Sequence, residues 1–138
     1  MTTFHVPGVP APQGSKNAYR RGNKVVLVES SKKVKPWRAA VAQAATIAYL
    51  RTEPIDGPVA VEIDFHLPRP KSLPKRVKHM VKRPDIDKLL RSTNDALTGI
   101  AYADDSRIVS IAATKRYALP GEETGATITV EEMPDDLL

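Results

Sequence analysis

Four aspartates flank one short segment of helical pattern in this sequence. Asp85 and Asp87 stand two residues apart directly after a proline, and Asp104 and Asp105 follow further along the chain. Clustered carboxylates repel one another unless a cation neutralises them, and hard oxygen ligands with no Cys or His nearby suit Mg²⁺ or Mn²⁺. Such ions activate water and stabilise the leaving oxygen in phosphodiester cleavage. Metal-dependent cleavage of nucleic acid is therefore one use that the pattern predicts.

A structural use of the same acids is open as well. Asp85 is placed to cap a helix start, and Asp87 favours the positive end of the helix. Arg91 stands four residues from both Asp87 and Asp95, the spacing of ordinary ion pairs on a helix surface. The later pair of acids suits a turn. The residues by themselves leave both interpretations standing.

The charge of the chain is divided unevenly, and this favours a polyanionic partner. The net charge is +5, but residues 1–91 carry 18 Lys and Arg against 7 Asp and Glu, whereas residues 92–138 carry 3 against 9. A basic face of this kind attracts the phosphate backbone of nucleic acid. We expect DNA contacts from the polar loop after Gly14, from the basic segment at 68–84 and from the helix start: Lys16, Arg20, Arg21, Lys71, Lys75, Arg76, Lys78, Lys82, Arg83 and Lys88.

Length and composition exclude several classes of protein. The chain has 138 residues, 41% apolar and 27% charged, which predicts one soluble globular domain over residues 1–138. Cysteine is absent, so disulfides, thiolate nucleophiles and zinc–cysteine sites are excluded. We expect a cytoplasmic protein, because the sequence shows neither a signal peptide nor a long apolar run.

Two further kinds of site lack the spacing they need. His5, His66 and His79 are far apart and show no metal-ligand pattern. The run QGSKN is not a phosphate-binding loop, because the glycine–lysine spacing of that motif is missing. We therefore predict no bound nucleotide or organic cofactor.

Periodicity places these residues on an α+β scaffold. Val59, Val61, Ile63, Phe65 and Leu67 alternate with more polar residues and give the clearest strand. The spacing predicts strands at 3–6, 24–28, 59–67, 108–117 and 126–131, and helices at 36–51 and 86–97. Residues 68–84 form a basic excursion with one helical turn near 75–80, and residues 134–138 a frayed tail. The fold predicted is a two-layer domain, a small mixed sheet with both helices packed on one face.

The string RPDIDKLLRSTNDALTGIAYADDSRI resembles the signature of the RusA family of Holliday junction resolvases. That signature runs D-x-D-N-L-x-K, then D-A-L, then D-D before an apolar strand, and looser similarity extends to VPGVPAPQGSKNAYR and the helix near Trp37. The resemblance implies a RusA-like fold in which Asp85, Asp87 and Asp105 bind Mg²⁺, or Mn²⁺ as the alternative, with Asp104 beside them. It also implies a homodimer that nicks two opposed strands of a four-way DNA junction, each subunit supplying one site.

Two positions depart from the family pattern. Lys88 replaces the family's Asn, and Arg91 replaces its Lys. An arginine keeps the positive charge but presents a planar fork instead of a compact ammonium. We predict that Arg91 contacts the scissile phosphate, with Lys88 as the alternative. The interpretation is a Mg²⁺-dependent endodeoxyribonuclease for branched DNA, and the competing hypothesis is a non-catalytic nucleic-acid-binding protein with a basic loop.

Overall fold

The computed structural model describes residues 1–14, 16–29 and 32–134 of the chain. A mixed sheet and two helices form the scaffold, which confirms the predicted α+β class. In chain order the elements are β1 (Thr2–Pro7), β2 (Lys16–Arg21), β3 (Lys24–Glu29), α1 (Val34–Ala48), β4 (Val59–Leu67), α2 (Ile86–Leu97), a short 3₁₀ turn (Asp105–Arg107), β5 (Ile108–Tyr117) and β6 (Gly125–Glu132).

The order of strands in the main sheet is β1-β6-β4-β5. Strand β4 pairs antiparallel with β6 but parallel with β5. Parallel neighbours need a crossover connection, and α2 supplies it here. Helix α2 therefore runs back along the sheet, so that it begins at the end where β4 and β5 finish. This direction decides where each aspartate lies.

Both helices are fixed to one face of the sheet by apolar packing and by one buried polar contact. Val61, Ile63 and Phe65 point into the shared core, as the alternation of β4 predicts. The indole Nε1 of Trp37 on α1 donates to Thr93 Oγ1 on α2 at 3.1 Å. Both side chains are buried, so the hydrogen bond has no competing water and sets how the helices sit against each other.

Helix α1 differs from its predicted bounds at both ends. It begins at Val34, two residues before the predicted start at Pro36, and ends at Ala48 rather than near Arg51. Pro36 still lies in the first turn, where its missing N–H has no partner within the helix. Arg51 has a φ of 63°, in the left-handed region, which is incompatible with a continuing helix.

Strand β2 was not predicted, because its sequence KNAYRR lacks an alternating apolar pattern. It pairs antiparallel with β3 around the turn at Gly22 and Asn23, and the two strands form a separate two-stranded sheet. This strand forms because its backbone pairs with β3, and such pairing cannot be detected from side-chain periodicity.

The basic segment at 68–84 contains no helical turn near 75–80, and that prediction is wrong. Two tight turns replace it, in which the N–H of Leu73 donates to Pro70 O at 3.1 Å and the N–H of Val77 donates to Pro74 O at 3.0 Å. Prolines at such spacing deny a helix its backbone donors.

The same segment is nevertheless attached to the sheet. Arg69 donates through Nη2 to Pro74 O at 2.9 Å, and its guanidinium lies over the ring of Tyr117 at the end of β5. Met80 is buried and joins the core cluster. Most of the predicted frayed tail, residues 135–138, lies outside the described residues. No helix in the described ranges is long and apolar enough to cross a membrane.

The face of the sheet away from the helices carries a charged clamp. The guanidinium of Arg116 on β5 contacts Asp64 Oδ2 on β4 at 3.0 Å and Glu122 Oε1 at 2.6 Å. Glu122 also accepts the N–H of Leu119 at 2.9 Å. The clamp joins two parallel strands to the turn that leads into β6.

This clamp makes part of the stability depend on pH. The Arg116 guanidinium, with the N–H of Leu119, lowers the pKa of Glu122 from 4.5 to about 2. Its contribution is therefore complete above pH 4.5 and is lost as the pH falls toward about 2. We expect Glu122→Gln to lose less stability than wild type between about pH 6 and about pH 3, measured by urea unfolding. Glu131→Gln, exposed on β6, is the control, and equal pH slopes for wild type and Glu122→Gln would contradict the clamp.

Candidate active site

The start of α2 presents two exposed carboxylates. Asp85 has extended backbone angles at the N-cap position, but its side chain makes no capping hydrogen bond. Its Oδ2 lies 3.8 Å from Lys88 Nζ, and Asp87 follows in the first turn of the helix. Because neither carboxylate is used in capping, both remain available at the positive end of the helix dipole.

Lys115 holds this helix start against the end of β5. Its Nζ donates to the carbonyl oxygens of Lys82 and Pro84 at 2.8 and 2.9 Å. The ammonium of Lys115 is therefore held at the backbone of Pro84, the residue that precedes Asp85. Sequence reasoning missed Lys115, because only the parallel crossover brings the last part of β5 back to the beginning of α2.

Asp104 and Asp105 lie at the other end of the helix. Asp104 caps the 3₁₀ turn by accepting the N–H of Ser106 at 3.3 Å, and that hydrogen bond lowers its pKa. Burial and then the charge of Asp105 raise the pKa of Tyr102 above its usual value. The hydroxyl of Tyr102 donates to Asn94 O at 3.1 Å, so Asp105 is close to the last turn of α2.

The helix therefore separates the two pairs of acids. Nine residues lead from Asp85 to Asn94, roughly 13 Å of helical rise. Among residues 1–14, 16–29 and 32–134, no three His, Asp or Glu side chains are grouped to hold a metal ion. The carboxylates suit Mg²⁺ in their chemistry, but those of a single chain do not assemble the predicted set. The assignment of Asp85, Asp87, Asp104 and Asp105 as ligands stays a prediction.

The proline-rich loop after β1 packs along α2. The hydroxyl of Ser92 donates to Ala11 O at 2.6 Å, and the N–H of Gln13 donates to Lys88 O at 3.0 Å. The side chain of Gln13 donates through Nε2 to Asp95 Oδ2 at 2.6 Å. Asp95, which matches the aspartate of the D-A-L motif, is consequently engaged by the loop.

Arg91 is exposed beside this loop. A Cβ built on Gly14 would lie 3.1 Å from Arg91 Nη1, and Gly14 has a φ of 110°, so a glycine there admits the guanidinium closely. No ion pair joins Arg91 to Asp87 or Asp95 within the described part of the chain, and the proposed i,i+4 pairs are wrong. Gln13 is a second residue that sequence reasoning missed, because its contact with Asp95 follows from loop packing.

The predicted DNA contacts divide into three groups. In the basic segment, which precedes α2 in the chain, the cationic side chains are exposed: Lys71, Lys75, Arg76, Lys78, Lys82 and Arg83. Arg20 is exposed on β2, and Lys88 is half-buried beside Asp85. The side chains of Lys16 and Arg21 lie outside what the structure describes. The exposed cations nearest in the chain to the first two carboxylates are Lys82 and Arg83, and exposed cations of this kind suit contacts with phosphate.

Comparison with known proteins finds two similarities. The sequence model of the family "Endodeoxyribonuclease RusA" matches residues 7–131. The chain is also 29% identical over 140 residues to "Uncharacterized protein YqaN" of Bacillus subtilis (strain 168), covering 94% of this chain and 95% of that protein. The matched range contains the loop, both helices and all four aspartates.

A substitution of Ser92 tests whether its hydrogen bond to Ala11 O holds the loop after β1 against α2. Ser92 is fully buried, so Ser92→Ala leaves the carbonyl of Ala11 without its donor. We expect a loss of about 1–3 kcal/mol in the free energy of unfolding, measured in urea. Ser110→Ala, on the exposed part of β5, is the matched control and should change little. Equal stability of the two variants would show that the loop is held by other contacts.

Proposed function

From its membership of the RusA family of endodeoxyribonucleases, which resolve Holliday junctions, we propose that this protein cuts branched DNA by paired nicks as a metal-dependent homodimer. The observation that carries the proposal is the family match over residues 7–131, which contains the D-x-D and D-D positions. The competing hypothesis of a non-catalytic nucleic-acid-binding protein is not retained, because the family is one of nucleases.

The surface around the start of α2 supports this chemistry. The exposed cations of the basic segment precede Asp85 and Asp87 in the chain, and we expect a phosphate backbone bound by Lys82 and Arg83 to pass the two carboxylates. Attraction between the cations and phosphates offsets the repulsion between phosphates and carboxylates. When bound, Mg²⁺ or Mn²⁺ would supply a Lewis acid and an activated water for phosphodiester hydrolysis. The acids of one chain do not form that site by themselves, because α2 separates them.

The homodimer gives a physical reason for this separation. Paired nicks require two sites, and a two-fold symmetric pair of chains offers each set of acids twice. If Asp105 of one copy meets Asp85 and Asp87 of the other, two complete sets form. The observation that supports shared sites is the position of Asp105 at the far end of α2.

We expect Asp85→Asn, Asp87→Asn and Asp105→Asn each to lower cleavage of a synthetic four-way junction by about 10² to 10³, since each removes a negative group while keeping its shape. Junction binding, measured by gel shift, should persist or tighten as repulsion of phosphate falls. Wild-type rates for all three variants with Mg²⁺ would contradict the assignment.

Mixing two inactive variants tests whether the sites are shared. A dimer of Asp85→Asn with Asp105→Asn contains one site with both changes and one with neither, if each site draws on two copies. The mixture should recover nicking of one strand without paired cuts. Sites confined to single chains would leave the mixture as inactive as its parts.

Arg91 is expected to contact the scissile phosphate, because it is exposed, lacks an acidic partner among the described residues and lies beside the Gly14 loop. Arg91→Ala should lower single-turnover cleavage by about 10² to 10³, and Arg91→Lys should retain much of the rate. Lys35→Ala, exposed on α1, is the control for loss of a positive charge. A rate for Arg91→Ala within about twofold of wild type would remove Arg91 from the reaction.

A further inference from the structure

Lys115 is a charged residue on the apolar side of β5. It pairs with Phe65 of β4, so its side chain leaves the sheet on the face that packs against the helices. Ala113 and Tyr117, two residues away on the same face, both pack in the core. Placing an ammonium there is costly unless hydrogen bonds compensate for the water that it loses. The position of Lys115 is therefore explained by its contacts and not by apolar packing.

Both of these contacts are hydrogen bonds to the main chain. The ammonium Nζ donates to Lys82 O at 2.8 Å and to Pro84 O at 2.9 Å. No carboxylate forms an ion pair with Lys115 in residues 1–14, 16–29 and 32–134. The ammonium therefore holds backbone at this place and does not neutralise an acid.

The backbone around Asp85 is held from both sides. Its carbonyl oxygen accepts the N–H of Leu89 at 3.1 Å, which ties Asp85 to α2. The carbonyl of Pro84, one residue earlier, is tied by Lys115 to β5. The carboxylate of Asp85 makes no capping hydrogen bond. A fixed backbone beneath an available carboxylate is the arrangement that a preorganised metal ligand needs.

We propose that Lys115 is a positioning residue for DNA cleavage, which holds Asp85 and Asp87 in place through the carbonyl oxygens of Lys82 and Pro84. This inference rests on the proposed function and adds to it a residue from a different strand. Without the ammonium, the segment that leads into α2 loses two hydrogen bonds to the sheet, so both carboxylates become more mobile. Metal ligands must be held to within about 0.5 Å of their working geometry, so this mobility lowers metal affinity and slows cleavage.

The first test separates cleavage from DNA binding. Lys115→Met keeps most of the aliphatic stem and removes the charge and its donors. We expect single-turnover cleavage of a synthetic four-way junction to fall by about 10- to 100-fold, the usual cost of losing a group that orients metal ligands. Junction affinity, measured by gel shift without divalent metal, should change little, because exposed cations of the basic segment remain. Lys115→Arg restores a charged donor and should recover much of the rate.

Lys35→Met, on the exposed surface of α1, is the matched control for loss of a lysine. A cleavage rate for Lys115→Met within about twofold of wild type would overturn the proposal. An equal loss of rate and of junction affinity would also overturn it, because Lys115 would then act by binding DNA.

The dependence of cleavage on Mg²⁺ separates position from charge. If Lys115 positions the carboxylates, Lys115→Met should need more Mg²⁺ for half-maximal cleavage than wild type. Loss of a nearby positive charge alone should have the opposite sign, because the metal then has one less cation to oppose it. Lys88→Met gives the size of that effect, since Lys88 Nζ lies 3.8 Å from Asp85 Oδ2. A lower Mg²⁺ requirement for Lys115→Met would contradict the positioning role.

Hydrogen exchange followed by mass spectrometry measures the attachment of the α2 start without DNA or metal. Lys115→Met should speed exchange in peptides that cover residues 82–90. Peptides that cover β4 should keep the protection of wild type, because β4 is paired on both sides by backbone hydrogen bonds. Unchanged exchange at 82–90 would overturn the proposal. Faster exchange throughout the chain would do so as well, since general destabilisation would then explain the slower cleavage.

The same measurements distinguish this proposal from the proposed function. A wild-type protein that cuts the junction, with Lys115→Met equally active, supports the function and overturns the role of Lys115. A wild-type protein that never cuts contradicts the function, and the exchange measurement then decides by itself whether Lys115 holds Asp85 in place.

Discussion

The parallel pairing of β4 with β5 is the constraint on which the rest of the structure depends. Once two neighbouring strands run in the same direction, the chain between them must return across the sheet, and α2 is that return. The helix start then meets the strand ends, and the helix end meets the strand starts. Both the contact of Lys115 with Pro84 and the distance of Asp105 from Asp85 follow from this one choice of direction.

Buried hydrogen bonds fix the positions of the helices and of the loop after β1 more closely than the crossover alone does. Trp37 joins α1 to Thr93, and Ser92 joins α2 to the carbonyl of Ala11. Each hydrogen bond is shielded from water, so each fixes a register that apolar packing alone would leave loose. The hydrogen bond from Ser92 positions the proline-rich loop after β1. The same loop carries Gln13, whose side chain donates to Asp95. The loop held by these two hydrogen bonds also places Gly14 beside the exposed Arg91.

The sequence predicts the elements whose pattern is local and misses what depends on distant pairing. Strand β4 and helix α2 have the predicted bounds, because alternation and helical spacing report burial directly. Strand β2 is not predicted, since it forms by backbone pairing with β3 and has no apolar pattern of its own. The carboxyl groups predicted as ligands stand out by type and spacing, and the family resemblance adds roles that stay predictions. Their positions relative to one another depend on strand direction, which no short motif encodes.

The attachment of the α2 start has a consequence for how such a protein can diverge. Lys115 holds it through main-chain carbonyl oxygens of Lys82 and Pro84, which any residue supplies. The exposed side chains at 68–84 are therefore under no demand from this anchor. They are able to change in sequence while Asp85 and Asp87 keep their places, and under the proposed function such changes would alter the affinity for DNA. The anchor therefore lets the surface charge of this segment evolve independently of the positions of Asp85 and Asp87.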